Sequence, residues 1–111
     1  MYEYRATILR VVDGDTVHAE IDLGLDVSTR ITLRLAGLDA PEASSPEGIA
    51  ATAWLAEHAP VGSRLIVRTT KDHREKFGRY LGTLIADGVE LNAAMIAAGH
   101  ASPYGGERRA S

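Results

Sequence analysis

The chain has 111 residues, of which 45% are hydrophobic and 24% are charged, and its formal net charge at pH 7 is −3. This balance fits one soluble globular domain and excludes a disordered chain, and no apolar run approaches the ~20 residues that a membrane-spanning helix needs. The chain contains no cysteine, which excludes disulfides and thiolate metal sites.

The first third of the chain predicts a meander of three strands. Residues 7–12 read as a strand that leads into the turn-prone pair Asp13 and Gly14. Residues 16–22 and 30–36 alternate between apolar and polar side chains, which predicts two strands with one buried face each.

A helix and two further strands follow the meander. Residues 44–47 (Ser-Ser-Pro-Glu) predict a helix start, because Ser44 and Glu47 stand at capping-box spacing and Pro46 suits the first turn. The helix body is predicted over residues 49–58. Residues 64–70 and 80–86 are rich in β-branched, leucine and tyrosine side chains, which predicts the fourth and fifth strands.

A short second helix is predicted near the end of the chain. Asn92 is a suitable N-cap for a helix over residues 93–98, and Gly99 suits the position after its last turn. The order of three strands, helix, two strands and helix predicts a mainly β protein of the α+β class, built on a five-stranded OB-fold barrel. We predict one domain over residues 1–104 and a flexible tail over residues 105–111.

Charge is unevenly distributed along the chain. Residues 64–79 hold six arginine and lysine residues against two carboxylates. A net negative charge disfavours a nucleic-acid partner, whereas a basic segment favours one. An ordinary solvated loop explains this segment equally well, so it does not decide the partner by itself.

Two aspartates are predicted to meet at one edge of the sheet. Asp15 precedes the second strand and Asp39 follows the third, so antiparallel pairing of these strands would bring both carboxylates together. Two close carboxylates repel each other unless a cation or a proton lies between them. An oxygen-only set without cysteine or paired histidines suits Ca²⁺ or Mg²⁺ rather than Zn²⁺.

Three further charged side chains are near this pair in the predicted fold. Glu42 follows Asp39 by three residues, and Arg34 precedes it by five on the same strand. Arg79 ends the basic segment. A metal, a carboxylate base and two guanidinium groups together suit phosphodiester hydrolysis, although each residue alone also fits a turn or a solvated surface position.

Three sequence blocks resemble the staphylococcal nuclease (thermonuclease) family. They are residues 12–17 (Val-Asp-Gly-Asp-Thr-Val), 34–42 (Arg-Leu-Ala-Gly-Leu-Asp-Ala-Pro-Glu) and 76–79 (Lys-Phe-Gly-Arg). Residues 86–92 also resemble the segment before the family's second helix. The resemblance implies an OB-fold barrel that hydrolyses DNA and RNA with one Ca²⁺, cleaving the P–O5′ bond and leaving 3′-phosphates.

The resemblance also implies a metal site and a general base. Asp15 and Asp39 match the two carboxylate ligands, and Ala40 matches the residue that gives its main-chain carbonyl to the metal. Glu42 matches the proposed general base. Ca²⁺ is therefore expected rather than Mg²⁺.

The resemblance implies phosphate contacts at two positions, and three further residues are candidates for which packing or solvent exposure is the alternative. Arg34 and Arg79 match the two arginines that hold the scissile phosphate. Lys76, Phe77 and Tyr104 are further candidates for substrate binding, the two aromatic rings as surfaces on which bases could stack.

The sequence departs from the family pattern in three ways. Ala40 stands where the best-known member has threonine, the stretch between Glu42 and the first helix is short, and the family's third helix is absent. The missing helix makes a homodimer a further expectation.

The resemblance implies that the partner is DNA, RNA or both, and no membrane partner is expected. No secretory signal is visible, so the chain is expected in the cytoplasm, or outside the cell only if a signal was trimmed. An inactive OB module that binds nucleic acid or protein is the alternative, but such a module has no need of the complete set of carboxylates and arginines.

Overall fold

The computed structural model describes residues 2–69 and 79–103. The strands and helices in these residues are β1 (Tyr2–Asp13), β2 (Thr16–Gly24), β3 (Val27–Leu35), β4 (Leu38–Asp39), α1 (Pro46–His58), β5 (Arg64–Thr69), β6 (Tyr80–Ala86), β7 (Val89–Glu90), α2 (Leu91–Ala97) and β8 (Ser102–Pro103).

Five of the strands close into a barrel. They follow the order β3-β2-β1-β5-β6 with antiparallel neighbours, and parallel pairing of β3 with β6 completes the ring. The two helices pack on this barrel, α1 against β1 and α2 against β6. The predicted mainly β fold, a closed five-stranded barrel with two helices, is therefore confirmed.

The alternation of the strands produces the barrel interior. Val17, Ala19 and Ile21 on β2 are buried, as are Leu33 and Leu35 on β3, whereas the residues between them reach the outer face. Because successive side chains point to opposite faces of a strand, the apolar half of each alternating segment fills the core. Helices α1 and α2 add Leu55, Ala51 and Met95 to it.

The start of α1 differs from the predicted capping box. The N-cap is Ser45, whose hydroxyl oxygen accepts a hydrogen bond from the Gly48 N–H at 2.9 Å. Pro46 is the first helical residue, and a residue before proline is restricted to extended backbone, which is the conformation of an N-cap. The prediction of a cap formed by Ser44 with Glu47 is therefore wrong by one residue.

Asn92 is also not the N-cap that the sequence predicted. Helix α2 begins at Leu91, so Asn92 lies inside it and is buried. Its side-chain amide donates to the carbonyls of Ala36 and Gly82, at 2.9 and 3.2 Å, and its oxygen accepts from the Leu84 N–H at 3.1 Å. Asn92 thus connects α2 to β6 and to the end of β3.

Some predicted segments lie outside the described residues. The limits of the predicted domain, residues 1–104, and of the tail, residues 105–111, stay predictions because the description ends at residue 103. In the part of the chain that the structure describes, no helix is long and apolar enough to cross a membrane.

Candidate active site

The pairing of β2 with β3 brings the ends of these strands together. Thr16 pairs with Arg34, and the Leu35 N–H donates to the Asp15 carbonyl at 2.8 Å. After a turn at Gly37, which has a φ of 80°, the chain enters β4, where Asp39 pairs with Ser102 of β8. The start of β2 and the whole of β4 therefore meet at one edge of the barrel.

Arg34 lies between the two aspartates at this edge. Its Nη2 donates to Asp39 Oδ1 at 2.6 Å and is 3.7 Å from Asp15 Oδ2. The side chains of Arg34, Asp15 and Asp39 are 14%, 17% and 23% exposed. The structure thus brings three of the predicted site residues into one partly buried cluster, which we call the Asp15–Arg34–Asp39 cluster.

The guanidinium group of Arg34 is held on its other side by the main chain. Its Nη1 donates to the carbonyls of Leu35 and Leu38, at 2.9 and 3.0 Å. These carbonyls flank the turn between β3 and β4, so the arginine fixes the turn that leads to Asp39. A group held in this way needs little rearrangement when it stabilises charge.

The carboxylate of Asp15 accepts two hydrogen bonds, and its pKa is set by burial and by nearby polar groups. Oδ2 accepts from the Ala40 N–H at 3.2 Å, and Oδ1 accepts from the Thr16 hydroxyl at 3.1 Å. Burial raises the pKa of Asp15 above its usual 3.8, and the Asp13 side chain raises it further, while the Ala40 N–H and Arg34 oppose the shift. The Ala40 N–H and Arg34 therefore do not fully offset the cost of burying the ionised carboxylate, and a bound cation would stabilise it further.

Gly14 permits a close approach between this edge and α1. A Cβ atom at Gly14 would lie 2.8 Å from the Cβ of Ala40 and 2.9 Å from that of Ala51. Its φ is not positive, so the glycine is required for space rather than for backbone conformation. Sequence reasoning interpreted Gly14 as a turn residue and missed this packing, because Ala40 and Ala51 are distant in the chain.

Glu42 is exposed and follows Asp39 by three residues in the chain. Its hydrogen bonds are made to the residues that begin α1 and not to the cluster. Its Oε1 accepts from the Ser44 hydroxyl at 2.5 Å, and its carbonyl accepts from the Ser45 N–H and hydroxyl at 2.9 and 2.7 Å. A Cβ atom at Gly48 would lie 1.9 Å from the Glu42 carbonyl oxygen. The turn that carries Glu42 is therefore packed directly on the first turn of α1, a role of Ser44, Ser45 and Gly48 that the sequence reasoning missed.

Arg79 is placed by the parallel pairing of β3 with β6. Tyr80 pairs with Leu33 and Leu81 with Arg34, and Arg79 directly precedes the paired segment of β6. Arg79 therefore lies two residues before the β6 position that pairs with Arg34. The other three predicted substrate-binding residues lie outside the described residues: Lys76, Phe77 and Tyr104.

The donor atoms at the cluster fit a hard cation. The carboxylates of Asp15 and Asp39 face the same nitrogen of Arg34, and the main chain of Ala40 adjoins them. Within residues 2–69 and 79–103, no group of three or more His, Cys, Asp or Glu side chains could hold a metal ion. An ion bound here would need main-chain and water oxygens in addition, which Ca²⁺ accepts among its six to eight ligands.

Known proteins with similar sequences point to one family. The family model described as staphylococcal nuclease homologue matches residues 32–110. Endonuclease YhcR of Bacillus subtilis (strain 168) is 29% identical over 114 residues, which cover 92% of this chain and 9% of that protein. Micrococcal nuclease of Shigella flexneri is 32% identical over 111 residues, which cover 92% of this chain and 59% of that protein. The chain therefore spans less than two thirds of the length of either relative.

Proposed function

Because the chain belongs to the family of staphylococcal nuclease homologues, we propose that it is a Ca²⁺-dependent nuclease that hydrolyses phosphodiester bonds of DNA, RNA or both. The single observation that carries the proposal is the Asp15–Arg34–Asp39 cluster, in which two carboxylates and a guanidinium group converge at one edge of the barrel. The names of the two relatives, an endonuclease and a micrococcal nuclease, support the same reaction class.

The metal in this proposal is one Ca²⁺ held by the carboxylates of Asp15 and Asp39 and by the main-chain carbonyl of Ala40. When bound, such an ion polarises a phosphoryl oxygen and lowers the pKa of a bound water. Ca²⁺ tolerates an irregular set of carboxylate, carbonyl and water oxygens, whereas Mg²⁺ demands near-ideal octahedral geometry. An irregular set of side-chain and main-chain oxygens therefore favours Ca²⁺.

Arg34 has donors left for the substrate. A guanidinium group carries five N–H donors in a planar fork. Among the described residues, two of these donors bind the Leu35 and Leu38 carbonyls and a third binds Asp39. The other two donors are left for the oxygens of a phosphate. We propose that Arg34 and Arg79 hold the scissile phosphate and stabilise the charge that grows on it.

Glu42 is the proposed general base. Its carboxylate is exposed to solvent and is oriented by the Ser44 hydroxyl. In the proposed step it takes a proton from the attacking water while the water oxygen bonds to phosphorus. The P–O5′ bond then breaks, the O5′ atom acquires a proton from solvent, and the product strand ends in a 3′-phosphate.

Cleavage assays of matched variants test this function. Single-stranded DNA and RNA are incubated with the protein in Ca²⁺, in Mg²⁺ and in chelator, and mass spectrometry identifies the new ends. We expect cleavage with Ca²⁺ that chelator abolishes. Glu42→Gln and Arg79→Ala should each lower turnover by about 10²–10³-fold, the usual cost of losing one preorganised group, whereas Glu57→Gln on the exposed face of α1 should not.

Two results would contradict the proposal. Full cleavage by both Glu42→Gln and Arg79→Ala would remove these residues from the reaction. Binding of nucleic acid by the wild-type protein without any cleavage would instead support the alternative, an inactive OB module that binds its ligand through the same surface.

A further inference from the structure

An open groove of about 670 Å³ lies on the outer wall of the barrel, over β1, β2 and β3. Its described lining includes the cationic or titratable side chains of Arg10, His18 and Arg30 and no carboxylate. This composition is unusual for a chain whose net charge is −3, because acidic residues outnumber basic ones overall. We call this surface the β1–β3 groove.

The groove adjoins the Asp15–Arg34–Asp39 cluster through the strand register. Arg10 pairs with His18, and His18 pairs with Thr32, so these residues form one row across three strands. The neighbouring row contains Thr16 and Arg34, which pair with each other. The two rows are two residues apart along the strands, a separation of about 6.6 Å.

Arg10 and Arg30 keep their charges available for a ligand. Both are exposed, and neither forms an ion pair within residues 2–69 and 79–103. Glu20, the cross-strand neighbour of Arg30, accepts a hydrogen bond from the Ser28 hydroxyl at 3.1 Å instead. In contrast, the guanidinium group of Arg68 is bound to Glu3 and Glu90.

A second cavity of similar size differs from the groove in the charge of its lining. That cavity, of about 750 Å³, is lined by Arg5 and Arg64 but also by Glu20, Asp22 and Asp87. Its carboxylates outnumber its arginines, which disfavours a polyanion. The lining of the β1–β3 groove includes Leu9, Ile31 and Tyr80 besides its arginines, and the partly buried Ile31 and Tyr80 also pack against the core. A cationic groove with apolar and aromatic surfaces is typical of sites for single-stranded nucleic acid.

We propose that the β1–β3 groove binds single-stranded DNA or RNA, with Arg10 and Arg30 on the backbone phosphates that flank the scissile bond. The inference rests on the proposed function for the nature of the ligand, and it adds a binding surface outside the Asp15–Arg34–Asp39 cluster. Because this contact is electrostatic, it should hold the strand independently of base sequence.

The test measures binding rather than cleavage. A labelled oligonucleotide of about 16 nucleotides, the upper site size of an OB fold, is titrated by fluorescence anisotropy in chelator, with gel analysis to verify that it stays intact. The double variant Arg10→Ala/Arg30→Ala is compared with Arg5→Ala/Arg64→Ala, which removes the same two charges from the other cavity. Arg10→Lys/Arg30→Lys keeps the charges and tests rescue.

The expected result is a change in the salt dependence of binding. Each phosphate contact on a single strand contributes about 0.7 to the slope of log affinity against log salt concentration. Loss of Arg10 and Arg30 should therefore reduce the slope by about 1.4 and weaken binding about 25-fold near 0.1 M salt. The lysine variant should keep the wild-type slope, and so should Arg5→Ala/Arg64→Ala.

The experiments distinguish an error in the groove proposal from an error in the proposed nuclease activity. Equal salt slopes for the two double alanine variants would overturn the groove proposal even if the wild-type protein cleaves DNA. Wild-type protein that binds the oligonucleotide through Arg10 and Arg30 but cleaves nothing would support the groove and remove the proposed activity. Absence of both binding and cleavage in the wild-type protein would overturn both.

Discussion

Arg34 contacts the main chain and a carboxylate through separate parts of one planar group. Its Nη1 binds the Leu35 and Leu38 carbonyls, while its Nη2 binds Asp39 and faces Asp15. A lysine ammonium is a compact point charge without this fixed fork, so Arg34→Lys would not reproduce the arrangement. One side chain therefore fixes the turn before Asp39 and holds a positive charge beside both aspartates.

At the scale of single residues, we also predict that Asp15 makes the stability of the protein depend on pH. Burial raises its pKa in the folded protein above 3.8, the usual value, so the folded state favours the protonated form. The contribution of Asp15 to stability is then fully present below pH 3.8 and is lost as pH rises through the higher folded pKa. In chelator, Asp15→Asn should remove this loss and be more stable than the wild-type protein at neutral pH.

Urea unfolding across the acidic and neutral range measures this effect. The control is Glu57→Gln, which removes an exposed carboxylate from α1. Parallel pH profiles for the wild-type protein and Asp15→Asn would contradict the prediction, because a carboxylate with an unchanged pKa contributes no such pH dependence.

At the scale of elements, the joint between the Glu42 turn and the first turn of α1 leaves no room for a Cβ atom at Gly48. Alanine is normally favoured over glycine inside a helix by about 1 kcal/mol. At Gly48, however, an added Cβ would lie 1.9 Å from the Glu42 carbonyl oxygen, and a backbone atom cannot yield as a side chain can. We expect Gly48→Ala to destabilise the protein by roughly 1–3 kcal/mol and to lower turnover by up to about 10²-fold through displacement of Glu42.

The exposed neighbour Ala50 supplies the control for this substitution. Ala50→Gly should cost about 1 kcal/mol through helix propensity alone and leave turnover intact. Thermal unfolding and the cleavage assay are measured on both variants. Wild-type stability and turnover in Gly48→Ala would show that the joint tolerates the extra atom.

The elements themselves were largely predictable, but their ends and contacts were not. The strands followed from alternation, and Gly99 was correctly predicted to end α2, where it adopts a φ of 85°. Ser45 replaced Ser44 as the N-cap because Pro46 imposes extended backbone on the residue before it. Asn92 has the residue type of an N-cap, and this local signal is misleading here. Its three partners belong to β6 and the end of β3, and no local pattern encodes them.

For the whole molecule, we predict that Ca²⁺ stabilises the fold. A ligand that binds only the folded state adds about 2.7 kcal/mol when its free concentration is 100-fold above its Kd. For a domain of this length, that corresponds to a rise in Tm of roughly 10 °C. Asp39→Asn should lose the rise, because it removes one of the two carboxylates, whereas Glu57→Gln should keep it.

Differential scanning calorimetry with and without Ca²⁺ measures this shift. Magnesium at the same concentration should give a smaller rise, since Mg²⁺ requires near-ideal octahedral geometry and gives up its water reluctantly. A Tm that does not change at any Ca²⁺ concentration in the wild-type protein would remove the metal from the proposal while leaving the family assignment in place.

The sequence by itself determined the barrel and the residues that meet at its edge. Alternation, turn glycines and the order of elements are local properties, and antiparallel pairing of β2 with β3 then requires Asp15 and Asp39 to converge. Only the tertiary structure decided how Arg34 is held, why Gly14 must be small and what Asn92 binds. These features depend on atoms that are close in space but distant in the chain, as between Asn92 and Ala36, so their physical cause lies in packing rather than in any local pattern.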